Sequence, residues 1–381
     1  MKVCILTYPI HSNFGYLMQA YALQKVILAM GHEVSTVNIR RRPASFFGKV
    51  KYIIVSIIKK VIFRRKTRPF KLWVTKEQQA AIDFYTNQFV NEHLALTCQI
   101  RNKKDLVNLN NEYDCFIVGS DQVWRKQYLR KELMSYYFDF LSPNKTRFSY
   151  AASFGKSEMD YSKSEIRQCR DLLRLFNKVS VRETDGIKLC EKYFNCEAVQ
   201  VLDPTLLLND DQYDELIQSD AINENLPKSK YILAYILNPS SKSNELIAKY
   251  AESIGAKPYY IMPSIYGETS NDIQKCIYPS ISTWLSAFKN AEYIITDSFH
   301  GSVFSMIYHK QFFVFDNPSR GSSRLKSLLN TFEIDNRFIS YNNGIEQCLN
   351  TNTIDYLKVD EKMNELRNDS HQFLNTALGL N

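Results

Sequence analysis

The chain has 381 residues, 45% hydrophobic and 23% charged, an ordinary balance that excludes intrinsic disorder and leaves room for two or three domains. No stretch reaches the ~18 consecutive apolar residues of a membrane span. The formal charge of +8 is local: twelve Lys or Arg and no acid lie from Arg40 to Lys71, and the rest of the chain is mildly acidic.

The start, Met1 to Pro9, lacks the apolar core and small-residue cleavage site of a secretory signal and reads as a first buried strand over 3–7. A helix over 16–30 follows, stopped by Gly31, and then a strand over 34–39. After the basic segment, short apolar runs predict strands at 115–118, 147–151, 178–181 and 198–202, with helices over 166–176 and 185–193. Asp203-Pro204-Thr205 breaks this pattern, which places a domain boundary near 205. The second half repeats the scheme. Strands are expected at 231–237, 258–262, 293–296 and 312–315, and helices at 245–254, 281–289, 302–308 and 322–331. A last helix over 355–378 is expected to pack back onto the first half. Alternation of this kind predicts an α/β protein with two Rossmann-like units, 1–205 and 206–355, a C-terminal helix in 356–381, and a ligand cleft between the units.

Several strand ends carry residues suited to chemistry, and ligands in open α/β sheets bind outside the carboxyl ends of strands. The turn Tyr8 to Gln19 joins the first strand to the first helix, whose free N–H groups suit a phosphate or carboxylate. There Gly15 would admit a close backbone approach, and Ser12 or Asn13 would cap the helix. In Gly119-Ser120-Asp121-Gln-Val-Trp124, Asp121 would cap a helix or orient a sugar hydroxyl, and Trp124 would stack on a sugar or fill the core. Arg182 directly follows a buried strand, where its fork can hold a phosphate or carboxylate or pair with Glu183. In Asp297-Ser298-Phe-His300-Gly301-Ser302, His300 has the position and the near-neutral proton exchange of a catalytic group. Ser302 is a nucleophile only in principle, because a G-x-S-x-G elbow is absent. Arg320 and Arg324, with Gly321 and three Ser around them, make an anion cradle or a solvated helix start.

The basic segment mixes cations with Phe, Ile and Val over 40–71, the composition of a segment lying on an anionic membrane surface. No nucleic-acid recognition motif accompanies it. The eight Cys have no C-x-x-C pair and the six His are dispersed, so reduced thiols in the cytoplasm are expected and a metal site is not.

Asn13-Phe-Gly15 with Gln19-Ala-Tyr-Ala-Leu-Gln24, Gly119 to Trp124, Ser180-Val-Arg182-Glu183, Val201-Leu-Asp-Pro204 and Thr296 to Gly301 stand in the order and spacing of one family. Together they resemble the polysaccharide pyruvyl transferases over roughly residues 1–330. The resemblance implies a fold like the GT-B glycosyltransferases and phosphoenolpyruvate as donor between the domains. It also implies a glycan or lipid-linked acceptor, a pyruvate ketal as product, and no cofactor. By motif His300 takes the family's His role and Arg182 one Arg role. Many members carry Arg two residues before the His. Here that position is Ser298, and Arg320 or Arg324 after the next strand is expected to supply the charge. The remaining expectations are a GT-B-like nucleotide-sugar glycosyltransferase, with the two Arg on a diphosphate, and a non-catalytic glycan- or membrane-binding protein. A cytoplasmic protein, peripheral on the inner face of the membrane, fits the pyruvyl transferase reading.

Overall fold

The computed structural model describes residues 1–40, 54–55, 74–218, 226–317, 321–340 and 344–380. Six strands form a first sheet: β1 (Lys2–Leu6), β2 (Glu33–Thr36), β3 (Cys115–Asp121), β4 (Thr146–Ala152), β5 (Lys178–Val181) and β6 (Val199–Gln200). Five more form a second: β7 (Tyr231–Tyr235), β8 (Lys257–Tyr260), β9 (Tyr293–Thr296), β10 (Gln311–Phe315) and β11 (Phe338–Ile339). The orders are β2-β1-β3-β4-β5-β6 and β11-β10-β9-β7-β8, and every pairing is parallel. Both sheets therefore reverse their winding at one place, between β1 and β3 and between β7 and β9. Ligands of doubly wound sheets bind outside the carboxyl ends at such switch points.

Strands buried on both faces read as continuous apolar runs. Tyr231–Tyr235 is buried throughout, and so is β3 up to Ser120. The first helix, Phe14–Ala29, is apolar nearly all round because it is enclosed on every side: thirteen of its residues are buried. Its Phe14 stacks on Trp284 of helix Ile281–Asn290, with ring centroids 5.2 Å apart and planes at 14°. Tyr278 meets the same ring edge-on at 5.6 Å. One continuous apolar core thus runs through both halves.

Helix Tyr356–Leu378 is capped by Asp355 and ended by Gly379 in the left-handed region. It lies against the first half: Phe373 meets Phe148 and Tyr150, and Ser370 Oγ accepts the Leu202 N–H at 3.0 Å. Arg367 donates to the carbonyls of Leu206 and Leu208. Several elements escape the sequence pattern, among them helices Lys76–Ile82, Phe84–His93, Lys103–Asn108, Asp210–Gln218 and Gly344–Asn350, and the two-residue strand β11. None of the described helices is long and apolar enough to cross a membrane.

Candidate active site

A cavity of about 990 Å³ opens where the carboxyl ends of the two sheets face each other. Tyr8 and Asn13, after β1, and Asp121, at the end of β3, form one wall. Asn238, after β7, and Ser298 and His300, after β9, form the other. Both switch points contribute, so the winding of the sheets places the cavity.

The approach to His300 is built from short polar bonds. The Thr296 hydroxyl donates to the Tyr235 carbonyl at 2.7 Å and accepts the Ser298 N–H at 3.1 Å, which ends β9. Helix Phe299–Ile307 starts at once, three residues earlier than the sequence pattern indicates, so His300 stands on its first turn. Asp297 is consumed locally, accepting from the Leu237 and Asn238 N–H groups and from Asn317 Nδ2. The imidazole is 7% exposed and reaches the cavity. Its Nε2 lies 3.7 Å from Asp203 Oδ1 and has no hydrogen-bond partner among the described residues. Its other nitrogen faces Gly15, where an added Cβ would come within 2.1 Å of Nδ1.

Asp203 ties the buried charges together. It accepts from Arg182 Nη1 at 2.7 Å, from Ser120 Oγ at 3.1 Å and from the Thr205 hydroxyl at 2.6 Å. Burial alone would raise its carboxyl. The neighbouring His300 and Arg182 and the Thr205 bond outweigh burial and hold it well below the usual carboxylate range. Arg182 Nη2 also lies 3.5 Å from Asp121 Oδ1. Burial disfavours the Asp121 carboxylate too, but Arg182, Arg324 and His300 keep its pKa below the ordinary value.

Two guanidiniums lie near the Phe299 ring. Arg182 lies 4.4 Å from its ring centroid and Arg324 lies 5.7 Å from it, within the range of cation–π attraction. Arg324 comes from helix Ser322–Thr331 and lines the cavity. Burial, reinforced by Arg182, lowers it to about 10, so it stays cationic at neutral pH. Gly321 makes this placement possible: its φ is +98°, and a Cβ there would sit 2.2 Å from the Gly155 carbonyl oxygen. Any side chain would push the helix, and Arg324 with it, away from the first half.

The arrangement sets a buried guanidinium, Arg324, and an imidazole, His300, on one cavity, with a buried charge network beside both. Among the described residues no three His, Cys, Asp or Glu side chains form a group that could hold a metal ion. The polysaccharide pyruvyl transferase family, represented as a sequence model, matches residues 13–319, most of the chain. The chain belongs to that family.

Two solved structures share the family member's fold. UDP-GlcNAc 2-epimerase from Neisseria meningitidis, bound to UDP-GlcNAc, aligns with a TM-score of 0.52 at 11% identity, covering 100% of each chain. MnaA of S. aureus with UDP aligns at 0.51 and 12% identity, covering 100% of this chain and 97% of that one. At such identities the likeness shows the fold alone, a GT-B-like pair of parallel α/β units. No curated protein sequence matches the chain.

Against this geometry the residues expected from the sequence separate. Asn13, Asp121, Ser298, His300 and Arg324 line the cavity, and Asn13 also caps the first helix by accepting the Tyr16 N–H. Arg182 is a correction: it stands behind Phe299 in ion pairs with Asp203 and Asp121 and does not line the large cavity. Trp124 is fully buried, stacked on Tyr137 at 5.1 Å and bonded to the Tyr136 carbonyl, so it fills the core. Gln19 and Ser120 are buried and bond each other, which fixes the turn below Asp121. Gly15 packs on His300 instead of on a ligand. Gly301 packs on Thr296, where a Cβ would lie 2.1 Å from its hydroxyl. The Ser302 hydroxyl donates to the Ser298 carbonyl within its own helix and does not face the cavity. Arg320 lies outside the described residues, as does nearly all of the basic segment 40–71.

Sequence reasoning gave Asp203 no role in the site, although it was visible between a strand and Pro204 and was read as a domain break and as part of a family motif. It also missed Tyr128 and Asn238, which line the cavity without any motif of their own, and did not single out Tyr8 within the turn it opens.

Proposed function

We propose that this protein transfers the pyruvyl group of phosphoenolpyruvate to two hydroxyls of a sugar, in a surface polysaccharide or its lipid-linked precursor, as a cyclic ketal. One observation carries the reading: Arg324 and His300 converge on one cavity at the N-terminus of helix Phe299–Ile307. A trianionic donor needs a cation and free N–H groups, and the helix end and Arg324 supply both. Arg324 takes the place of the cation that Ser298 does not provide. In this reading the second unit, 206–355, holds the donor and the first, 1–205, the acceptor.

Ketal formation adds a proton to the donor methylene carbon, making it a methyl group. An acceptor hydroxyl attacks the adjacent carbon and its C–O bond to phosphate breaks. A second hydroxyl then closes the ring. The two hydroxyl protons balance the one gained by carbon and the one gained by the departing phosphate. His300 exchanges these protons, a role typically worth 10²–10⁴-fold. Its Nε2 is turned toward Asp203, so exchange is assigned to Nδ1, beside which Gly15 leaves room for the ring. Arg182 acts through Asp203 and Asp121, holding the carboxylates that set the charge around His300 and Arg324.

Titration calorimetry with phosphoenolpyruvate and, separately, with UDP-GlcNAc tests the reading. Heat with phosphoenolpyruvate alone is expected. Heat with UDP-GlcNAc alone, or with neither, would overturn it.

A further inference from the structure

One part of the cavity wall is organised by a residue that does not line it. Arg125 is 3% exposed. Its Nη1 donates to Gln122 Oε1 at 2.6 Å, its Nη2 donates to Gln127 Oε1 at 3.3 Å, and its guanidinium carbon lies 4.5 Å from the centroid of the Tyr128 ring. Gln122, Gln127 and Tyr128 all line the cavity. One buried cation therefore holds three cavity side chains at once.

The Tyr128 ring is fixed on one face by Arg125 and at its edge by Tyr8, whose centroid is 6.0 Å away at 68°. It is nonetheless 43% exposed. An aromatic ring held on one face and open on the other is a stacking surface, and its quadrupole favours polarised C–H groups. Because the Gln oxygens accept from Arg125, the two amides offer a ligand their N–H groups as donors. Glu132, also on the cavity, adds acceptors. Donors, acceptors and a flat apolar face in one wall match a neutral pyranose ring, which has hydroxyls at its rim and C–H bonds on its faces. Tyr128 is near enough to Arg324 to affect its ionisation, so a ring seated there adjoins the donor side.

We propose that Tyr128, backed by Arg125, is the platform on which the acceptor sugar ring stacks, with Gln122, Gln127 and Glu132 holding its hydroxyls. This rests on the pyruvyl transferase reading only for the word acceptor; the sugar subsite stands on its own geometry.

Saturation-transfer NMR on the full chain with methyl β-D-glucopyranoside, methyl β-D-galactopyranoside and methyl N-acetyl-β-D-glucosaminide tests it. With wild type and Tyr128→Phe, saturation should reach the ring C–H protons of at least one glycoside. With Tyr128→Ala the affinity should fall about tenfold, and Tyr128→Leu, which keeps bulk without a π face, should behave alike. Thermal melts confirm that each variant is folded. No saturation of any glycoside by wild type, or equal affinity in the Leu and Phe variants, overturns the platform. A parallel phosphoenolpyruvate titration separates the two claims: failure of that donor with glycoside stacking intact counts against the transferase reading alone.

Discussion

Gly15 and His300 share one space. The glycine belongs to the first helix of the first half and the histidine to the helix after β9 of the second, and a Cβ on residue 15 would sit 2.4 Å from the imidazole Cγ. The seating of the two halves therefore sets the pose of the imidazole. A glycine expected to admit a ligand instead admits the residue assigned to proton exchange.

Gly15→Ala should displace the ring and cover Nδ1. Overpacking of this kind costs about 1–3 kcal/mol, and misplacing a reacting group can cost about 10²-fold in rate. Turnover should fall by that order with the fold retained in thermal melts. Wild-type turnover in this variant would show that the imidazole has room the structure does not give it.

Asp203→Asn removes one partner of a buried ion pair, a change that destabilises by about 3–5 kcal/mol. The pH dependence has a definite sign. The folded Asp203 carboxyl lies below its unfolded value, so its stabilisation is present above about pH 4 and is lost as pH falls below it. Denaturant midpoints should fall more steeply in wild type than in the Asn variant as pH is lowered from neutral to acid. Parallel curves would remove Asp203 from the charge network.

Much of the fold was legible because parallel strands buried on both faces appear as unbroken apolar runs, as in Tyr231–Tyr235 and Gln311–Phe315. Strand β11 has two residues and no run to detect, and the charged, polar helix Lys76–Ile82 buries only Ile82. That His300 and Arg324 would line the cavity was legible, because position at a strand end or helix start carries that information. The site was not legible at Trp124 and Tyr128. Four residues apart after the same strand, they are equal candidates for a sugar until packing turns one inward against Tyr137 and the other toward the cavity. Arg182 misled for a related reason: its partners Asp121 and Asp203 are distant in sequence, and a local reading could pair it only with Glu183.

Trp124→Ala should therefore act on stability, lowering it by about 3–5 kcal/mol. Trp124→Phe should keep both the fold and glycoside affinity. A Phe variant that folds like wild type but loses glycoside binding would return Trp124 to the site.

Arg324→Ala should weaken phosphoenolpyruvate about tenfold or more, since hydrogen bonds to charged groups are worth about 1.5–3 kcal/mol. Adding Ser298→Arg to that variant should recover part of the affinity by restoring the cation where many family members carry it. Calorimetry reads both. Unchanged affinity in Arg324→Ala would end its role as the substitute cation.

A crystal structure of the protein soaked with phosphoenolpyruvate tests the central claim most directly. The account predicts a donor carboxylate or phosphate oxygen within about 2.7–3.0 Å of Arg324, at the start of helix Phe299–Ile307, with the methylene carbon beside His300. Donor bound away from both residues, or a cavity left without donor at saturating concentration, would contradict it.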